Sequence, residues 1–280
     1  MNYSTAESPH IKEVTIRVTD LMEARRFYTE VIGLKVLKET KEELQLGVGE
    51  HVLLMVRSGA EFKKLSGKAG LYHFALLVPA REDLAGILNH LLNVNAPIQG
   101  AADHIFSEAI YLSDPDGNGI EVYCDRPKEK WQTEDDGSLP LASDPLNAED
   151  ILKYKNQWEG LPEGTVMGHI HLHVASIPEA LHFYHSILNF QVKIRHGNQA
   201  LFLAAQDYHH HIGLNTWAGA GVPSNPPEAA GLIEYSLQVA SAEELARLEK
   251  LLQESDYACK RGENYILVKD PSGNQMRFIL

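Results

Sequence analysis

The chain has 280 residues, 44% hydrophobic and 22% charged, enough for a sizeable core and for two domains of ordinary size. A formal net charge of −13 without any Lys/Arg cluster excludes a phosphate backbone or an anionic membrane surface as partner, so small molecules are the expected ligands. Cys124 and Cys259 are too few for a disulfide framework and are expected to be buried thiols, while a polar start over residues 1–10 and the lack of any span-length apolar run lead us to expect a cytoplasmic protein.

Residues 11–18 alternate, with Val14, Ile16 and Val18 on one face and Glu13, Thr15 and Arg17 on the other, which predicts a strand. Asp20 is placed to cap a helix through Ala24, Phe27, Tyr28 and Val31 that Gly33 ends. Short strands are expected around 35–37, 43–47 and 51–57, and Gly59 closes this first unit. The second opens with GLYHFALLV at 70–78, where Tyr72, Phe74, Leu76 and Val78 share a face and His73 and Ala75 lie opposite. A helix over about 82–93 follows, broken by Pro97 and Gly100.

The unit ends with IYLSDPDGNGIEVYC at 110–124. Asp and Asn bond their own backbone, Pro115 fixes φ and the glycines allow φ > 0, so this is a hairpin. On its second strand Ile120, Val122 and Cys124 form a core face, and Glu121 with Tyr123 stands on the other side. Taken alone, Glu121 reads as a solvated acid or as a ligand.

From 126 to 164 the composition shifts to Pro, Asp, Glu, Gly and Ser, which reads as a linker, with a short helix expected near 148–156 carrying Tyr154 and Trp158. The third unit begins MGHIHLHVAS, in which Ile170, Leu172 and Val174 alternate with His169, His171 and His173. Ser176 caps its helix, and a later strand over 208–217 is expected to carry His209, His210 and His211. The fourth opens GLIEYSLQVAS, continues through a capping box from Ser241 to Glu244 and closes YILVKDPSGNQMRFIL.

An internal repeat organises these units. Asp114-Pro-Asp-Gly-Asn118 matches Asp270-Pro-Ser-Gly-Asn274 at an offset of 270 − 114 = 156, and VTDLMEARRFY matches VASIPEALHFY at the same offset. Each unit is β-α-β-β-β and too small to bury its own helix and sheet, so units must pair. The predicted fold class is α+β, four βαβββ modules forming two half-barrel-like domains: 1–125 (modules 11–59 and 70–125), a linker 126–164, and 165–280 (modules 165–217 and 231–280).

The D-P-x-G-N hairpin with an acid six residues after its proline, together with a His-bearing first strand before a helix ending in Phe-Tyr, resembles the vicinal oxygen chelate superfamily of glyoxalases and extradiol dioxygenases. The resemblance covers nearly all of the chain outside the linker. It implies paired modules curled around a metal on the concave face. In extradiol members one module supplies a His from its first strand, and its partner supplies a first-strand His and a last-strand Glu. Here the first-strand positions are Glu13, His73, His169 and Glu234, and the last-strand positions are Glu121 and Arg277. Pairing the third and fourth units yields His169, Glu234 and Arg277, which a cation cannot use because guanidinium stays charged. The first and second give Glu13, His73 and Glu121. Only the second with the third gives a two-His-one-carboxylate set, His73, Glu121 and His169, and some hydroquinone-type members pair modules in this way. We therefore expect that pairing, with Arg277 beside Glu13 or Glu234 in a ligand-free twin.

The resemblance further puts Tyr111 on a substrate-binding tyrosine and His210, within HHHIGLN, on the second-sphere acid–base histidine. His211 is carried as the alternative, since a one-residue slip of register would exchange the candidates. Where many catechol dioxygenases carry another histidine this chain has Ala102, with His104 nearby. The resulting expectation is an Fe(II) extradiol dioxygenase for a catechol or hydroquinone and O2, with Mn, Zn or Ni as other metals, oligomerisation left open, and no nucleic-acid or membrane partner. The rivals are a non-oxidative lyase, isomerase or thiol transferase of the same fold and a metal-free binding protein.

Overall fold

The computed structural model describes residues 9–135, 137–154 and 158–280. The first unit comprises β1 (His10–Arg17), α1 (Leu21–Arg26), β2 (Lys35–Glu39), β3 (Glu43–Val48) and β4 (His51–Arg57). The second comprises β5 (Gly70–Leu77), α2 (Arg81–Asn93), β6 (Gly100–Asp103), β7 (Ser107–Ser113) and β8 (Gly119–Asp125). After the linker elements β9 (Asp144–Pro145) and α3 (Ala148–Ile151), the third unit has β10 (Val166–His173), α4 (Ile177–Leu181), β11 (Gln191–His196), β12 (Ala200–Ala204) and β13 (Ile212–Asn215). The fourth has β14 (Gly231–Gln238), α5 (Ala242–Glu254), β15 (Cys259–Arg261), β16 (Tyr265–Lys269) and β17 (Gln275–Ile279).

Strand order is β15-β16-β17-β14-β1-β4-β3-β2 in one sheet and β11-β12-β13-β10-β5-β8-β7-β6-β9 in the other. Units that follow one another in sequence thus lie in different sheets. The first joins the fourth through antiparallel β1 and β14, and the second joins the third through antiparallel β5 and β10, all within one chain. A contiguous apolar cluster including Val14, Tyr28, Phe74, Ile170, Tyr184 and Tyr235 links the buried faces of both sheets to the helices. Among the described residues no helix is long and apolar enough to cross a membrane.

The repeat has a physical content. Asp20 caps α1 by accepting from the Met22 and Glu23 amides, and Ser176 caps α4 by accepting from the Glu179 amide. Both helices then widen, with the Ile32 amide donating to the Phe27 carbonyl and the Leu188 amide to that of Phe183, an i to i+5 bond in each case. The widened turn aims Tyr28 and Tyr184 at the two D-P-x-G-N hairpins. Tyr28 donates to Asp114 at 2.9 Å and Tyr184 to Asp270 at 3.0 Å. Each aspartate also accepts from two backbone amides and one Asn side chain of its own turn, Asp116, Asn118 and Asn118 Nδ2 in the first and Ser272, Asn274 and Asn274 Nδ2 in the second. These contacts lock sequential units to one another across the two sheets.

Four expectations need correction. Tyr72 does not share the core face of β5. His171 pairs with His73 and Leu172 with Leu71, so Tyr72 is an extra, bulged residue, and Leu71 occupies the core position instead. The strand expected over 208–217 starts only at Ile212; Gln206 has φ of 55°, and 205–211 form a loop. The helix expected over 148–156 is limited to Ala148–Ile151, and residues 155–157 lie outside the described residues. Cys124 is buried, and burial, followed by the charges of Glu108 and Asp125, pushes its thiol up to about 12; Cys259 is only half-buried.

Because Asp114 satisfies four donors in a buried site, Asp114→Ala should lower unfolding free energy by about 3 kcal/mol, and Tyr28→Phe by about 2 kcal/mol. Urea unfolding of the variants against wild type checks this, with Asp270→Ala expected to match Asp114→Ala in size.

Candidate functional site

The pairing of β5 with β10 and β8 converges three side chains on one concave face. Ala75 in β5 is the Cα partner of both His169 in β10 and Glu121 in β8, and His73 lies two residues away on the same side of β5. His73 Nε2 lies 3.0 Å from Glu121 Oε2, His169 Nε2 lies 3.1 Å from the same oxygen, and the two Nε2 atoms are 3.3 Å apart. All three residues are buried. Two glycines make the approach geometrically feasible. A Cβ on Gly119 would fall 2.1 Å from the Tyr72 carbonyl oxygen, and a Cβ on Gly168 would fall 2.1 Å from the Tyr123 hydroxyl. Gly168 is also the extra residue in β10, where Met167 pairs with Leu76 and His169 with Ala75, so this bulge sets the direction of His169.

The donor set fits a divalent cation. Burial works to raise the Glu121 carboxyl, but His169 and then His73 outweigh it and bring it well below the usual carboxylate range. Burial lowers the His73 imidazole against the pull of Glu121. An ionised carboxylate and a neutral imidazole are the states a metal requires. Ligand atoms at about 2.1 Å on neighbouring vertices of an octahedron lie about 3.0 Å apart, close to the edges of this triangle. In addition, two Nε2 atoms at 3.3 Å cannot both donate to Glu121 without setting N–H against N–H, a conflict that a shared cation removes. Among the described residues no fourth His, Cys, Asp or Glu joins the group.

The triangle opens on a cavity of about 260 Å3 whose walls include Tyr72, Phe106, Phe202 and Trp217, with no lysine or arginine in the lining. Leu141, Ala142 and Ser143 of the linker form one side, so the segment between the repeats contributes to the site. It is held there by β9, which adds to the edge of β6, and by Arg81, which is bidentate to Glu108 and bonds Asp150 at 2.8 Å.

Tyr111 faces the cavity and is the Cα partner of Glu121. Its hydroxyl is 2.7 Å from His104 Nε2, and His104 Nδ1 donates to the Ala142 carbonyl at 2.6 Å. A neutral His104 therefore offers a lone pair at Nε2 to the Tyr111 hydroxyl, whose proton has a second acceptor in the Glu121 carboxylate. Burial, reinforced by the Glu121 charge, holds the Tyr111 phenol well above its ordinary range.

Because 209–211 lie on a loop, strand parity does not apply, and the three histidines point to three places. His210 lines the cavity with its ring centroid 4.2 Å from that of His169. Burial, then the neighbouring imidazoles of His169, His209 and His171, hold it well below the ordinary histidine range, so it is neutral at neutral pH. His211 is not in the cavity wall; its Nδ1 accepts from the Ala205 amide at 3.2 Å. His209 bonds Asp125 and His210. Sequence reasoning missed Asp125, Tyr72 and Trp217 as neighbours of the site, and His104 entered only as a neighbour of Ala102. The signal for Tyr72 was hidden by the bulge, and that for Asp125 by the distance along the chain to its histidine.

In the fourth and first units the equivalent face holds Arg277, which pairs with Glu234 at 2.8 Å, while Gln275 donates to the same carboxylate and Ser236 to Glu13. A guanidinium occupies the place of the acid, and among the described residues this twin has no cation-binding set.

The model of the glyoxalase/bleomycin resistance protein/dioxygenase superfamily matches residues 10–122. With the sequence relationship that follows, the chain belongs to that superfamily. It is 39% identical over 284 aligned residues, 99% of each chain, to the catechol-2,3-dioxygenase of Bacillus subtilis (strain 168). Solved structures share the fold: a putative dioxygenase from Bacillus subtilis at TM-score 0.67 and 14% identity, covering 98% of this chain and 85% of that one, and glyoxalase I from Zea mays at TM-score 0.60 and 15% identity, covering 97% and 92%.

Gly168→Ala would drive its Cβ into Tyr123 and displace His169. Expected are a loss of about 1–3 kcal/mol in stability and a sub-stoichiometric divalent metal content, read by thermal unfolding and by elemental analysis.

Proposed function

We propose that the chain is an extradiol ring-cleaving dioxygenase acting on a small aromatic diol, with Fe(II) held by His73, Glu121 and His169. The carrying observation is the three-ligand triangle opening on an apolar cavity whose wall also holds His210. The name of the Bacillus relative supports the same reading. When bound, the iron supplies a redox-active Lewis acid whose remaining positions are left to substrate and dioxygen. That no fourth His, Cys, Asp or Glu of the described residues joins the group favours this over a non-oxidative member, whose sites usually carry a fourth protein ligand.

The protein groups have separable tasks. His210 is the general base for one diol hydroxyl, neutral before it acts and cationic after. Tyr111, whose one proton is taken up by His104 or Glu121, presents lone pairs and accepts a hydrogen bond from the substrate. Phe106, Phe202 and Trp217 take the ring and exclude water. Since the lining has no lysine or arginine to pair with a ring carboxylate, uncharged or alkyl-substituted diols should be turned over at least about tenfold more efficiently than diols bearing one.

Protein reconstituted anaerobically with Fe(II) should give a yellow ring-cleavage product and consume oxygen when mixed with catechol or a hydroquinone in air. His73→Ala, Glu121→Ala and His169→Ala should each lose stoichiometric metal, whereas His210→Asn should keep it and lose about 10²–10⁴ in kcat. Absence of oxygen uptake across a panel of diols with full iron loading would overturn the assignment, and full metal content in any ligand variant would overturn that ligand.

A further inference from the structure

Strand β8 carries a second carboxylate, Asp125, four residues beyond Glu121 and therefore on the same side of the strand. Its Oδ1 lies 2.9 Å from His209 Nε2, and its Oδ2 accepts from the Tyr208 hydroxyl at 3.0 Å. His209 Nδ1 in turn lies 2.8 Å from His210 Nδ1. The His209 ring is fully buried and held against Phe106, with ring centroids 4.6 Å apart and planes 24° from parallel, and against Trp131 at 5.4 Å. The three groups thus form a continuous chain, Asp125, His209, His210, that begins at the strand of Glu121 and ends in the cavity wall.

Donor and acceptor roles along this chain follow from chemistry once Asp125 is ionised and His209 neutral. An ionised carboxylate only accepts, so His209 donates from Nε2. A neutral His209 then has a lone pair at Nδ1, and the short contact to His210 requires His210 to donate from its own Nδ1. The nitrogen left for the cavity is His210 Nε2, without a proton. We propose that Asp125 and His209 are positioning residues that hold His210 in the Nδ1–H tautomer, with Nε2 ready to take a proton from the diol. When the transfer occurs, the O–H bond of the substrate breaks, its electron pair stays on oxygen, and the proton joins Nε2; the cationic ring remains hydrogen-bonded through His209 to Asp125. This role rests on the dioxygenase reading only for the identity of the proton donor. The alternative, His210 protonated on Nε2, would present a donor to the cavity and no base.

Two variants break the chain differently. Asp125→Asn lets an amide N–H face His209 Nε2, which reverses both tautomers, and His209→Phe keeps the ring stack on Phe106 while removing both hydrogen bonds. In Fe(II)-loaded protein each should lower kcat about 10²-fold or more, with KM for catechol and iron content within about twofold of wild type. Ring ¹⁵N NMR of the Zn(II)-loaded protein should show His210 protonated on Nδ1 in wild type and on Nε2 in a substantial fraction of Asp125→Asn. A wild-type His210 protonated on Nε2, or unchanged kcat in both variants, would overturn the proposal. The NMR readout needs no turnover, so a wild type inactive toward every diol would count against the reaction, and the tautomer would still decide the relay.

Discussion

The antiparallel ladder between β5 and β10 is the contact on which the site depends. It joins two units that are about a hundred residues apart in sequence, sets His169 opposite Ala75, and leaves His73 and His169 on one concave face. Parallel pairing of β8 with β5 then brings Glu121 to the same Ala75 from the other side. Neither half of this arrangement is a metal site alone. A carboxylate buried between two imidazoles at 3.0 and 3.1 Å is an expensive group to desolvate unless opposite or donor groups meet it, and the ladder is what makes them meet.

Duplication explains how such a ladder is built reliably. The same aspartate-centred turn occurs twice, each time receiving a tyrosine from the widened helix of the preceding unit. Those buried latches hold sequential units together while their strands join different sheets. The two sheets therefore share an architecture and differ in chemistry: one presents His-Glu-His, and the other presents Arg277 tied to Glu234. The fold does not need a carboxylate at the last-strand position, since the fourth unit holds Arg277 there.

Regular structure supplies the His-Glu-His triangle, and irregular structure supplies most of what surrounds it. Bulges at Tyr72 and Gly168 redirect side chains that strict alternation would place elsewhere. The loop before β13 separates three successive histidines into a cavity-facing ring, a ring linked to Asp125 and a ring folded back on its own backbone. The linker closes one wall through Leu141 and fixes His104, and with it the Tyr111 hydroxyl. The site is thus held on strands and trimmed by loops, an arrangement that keeps the triangle rigid and lets the wall vary.

The sequence by itself determined the four βαβββ units, their repeat at an offset of 156 residues, and the hairpins and caps, because period-two alternation and turn chemistry are local properties written in consecutive residues; the set His73, Glu121 and His169 came from the resemblance to a family and its manner of pairing modules. Tertiary structure decided what is not local. That the second and third units meet within one chain depends on strand pairing between distant segments. The move of Tyr72 to the cavity depends on one extra residue opposite β10, which no alternation pattern displays. The partnership of Asp125 with His209 spans 84 positions and exists only because β8 passes beneath the histidine loop.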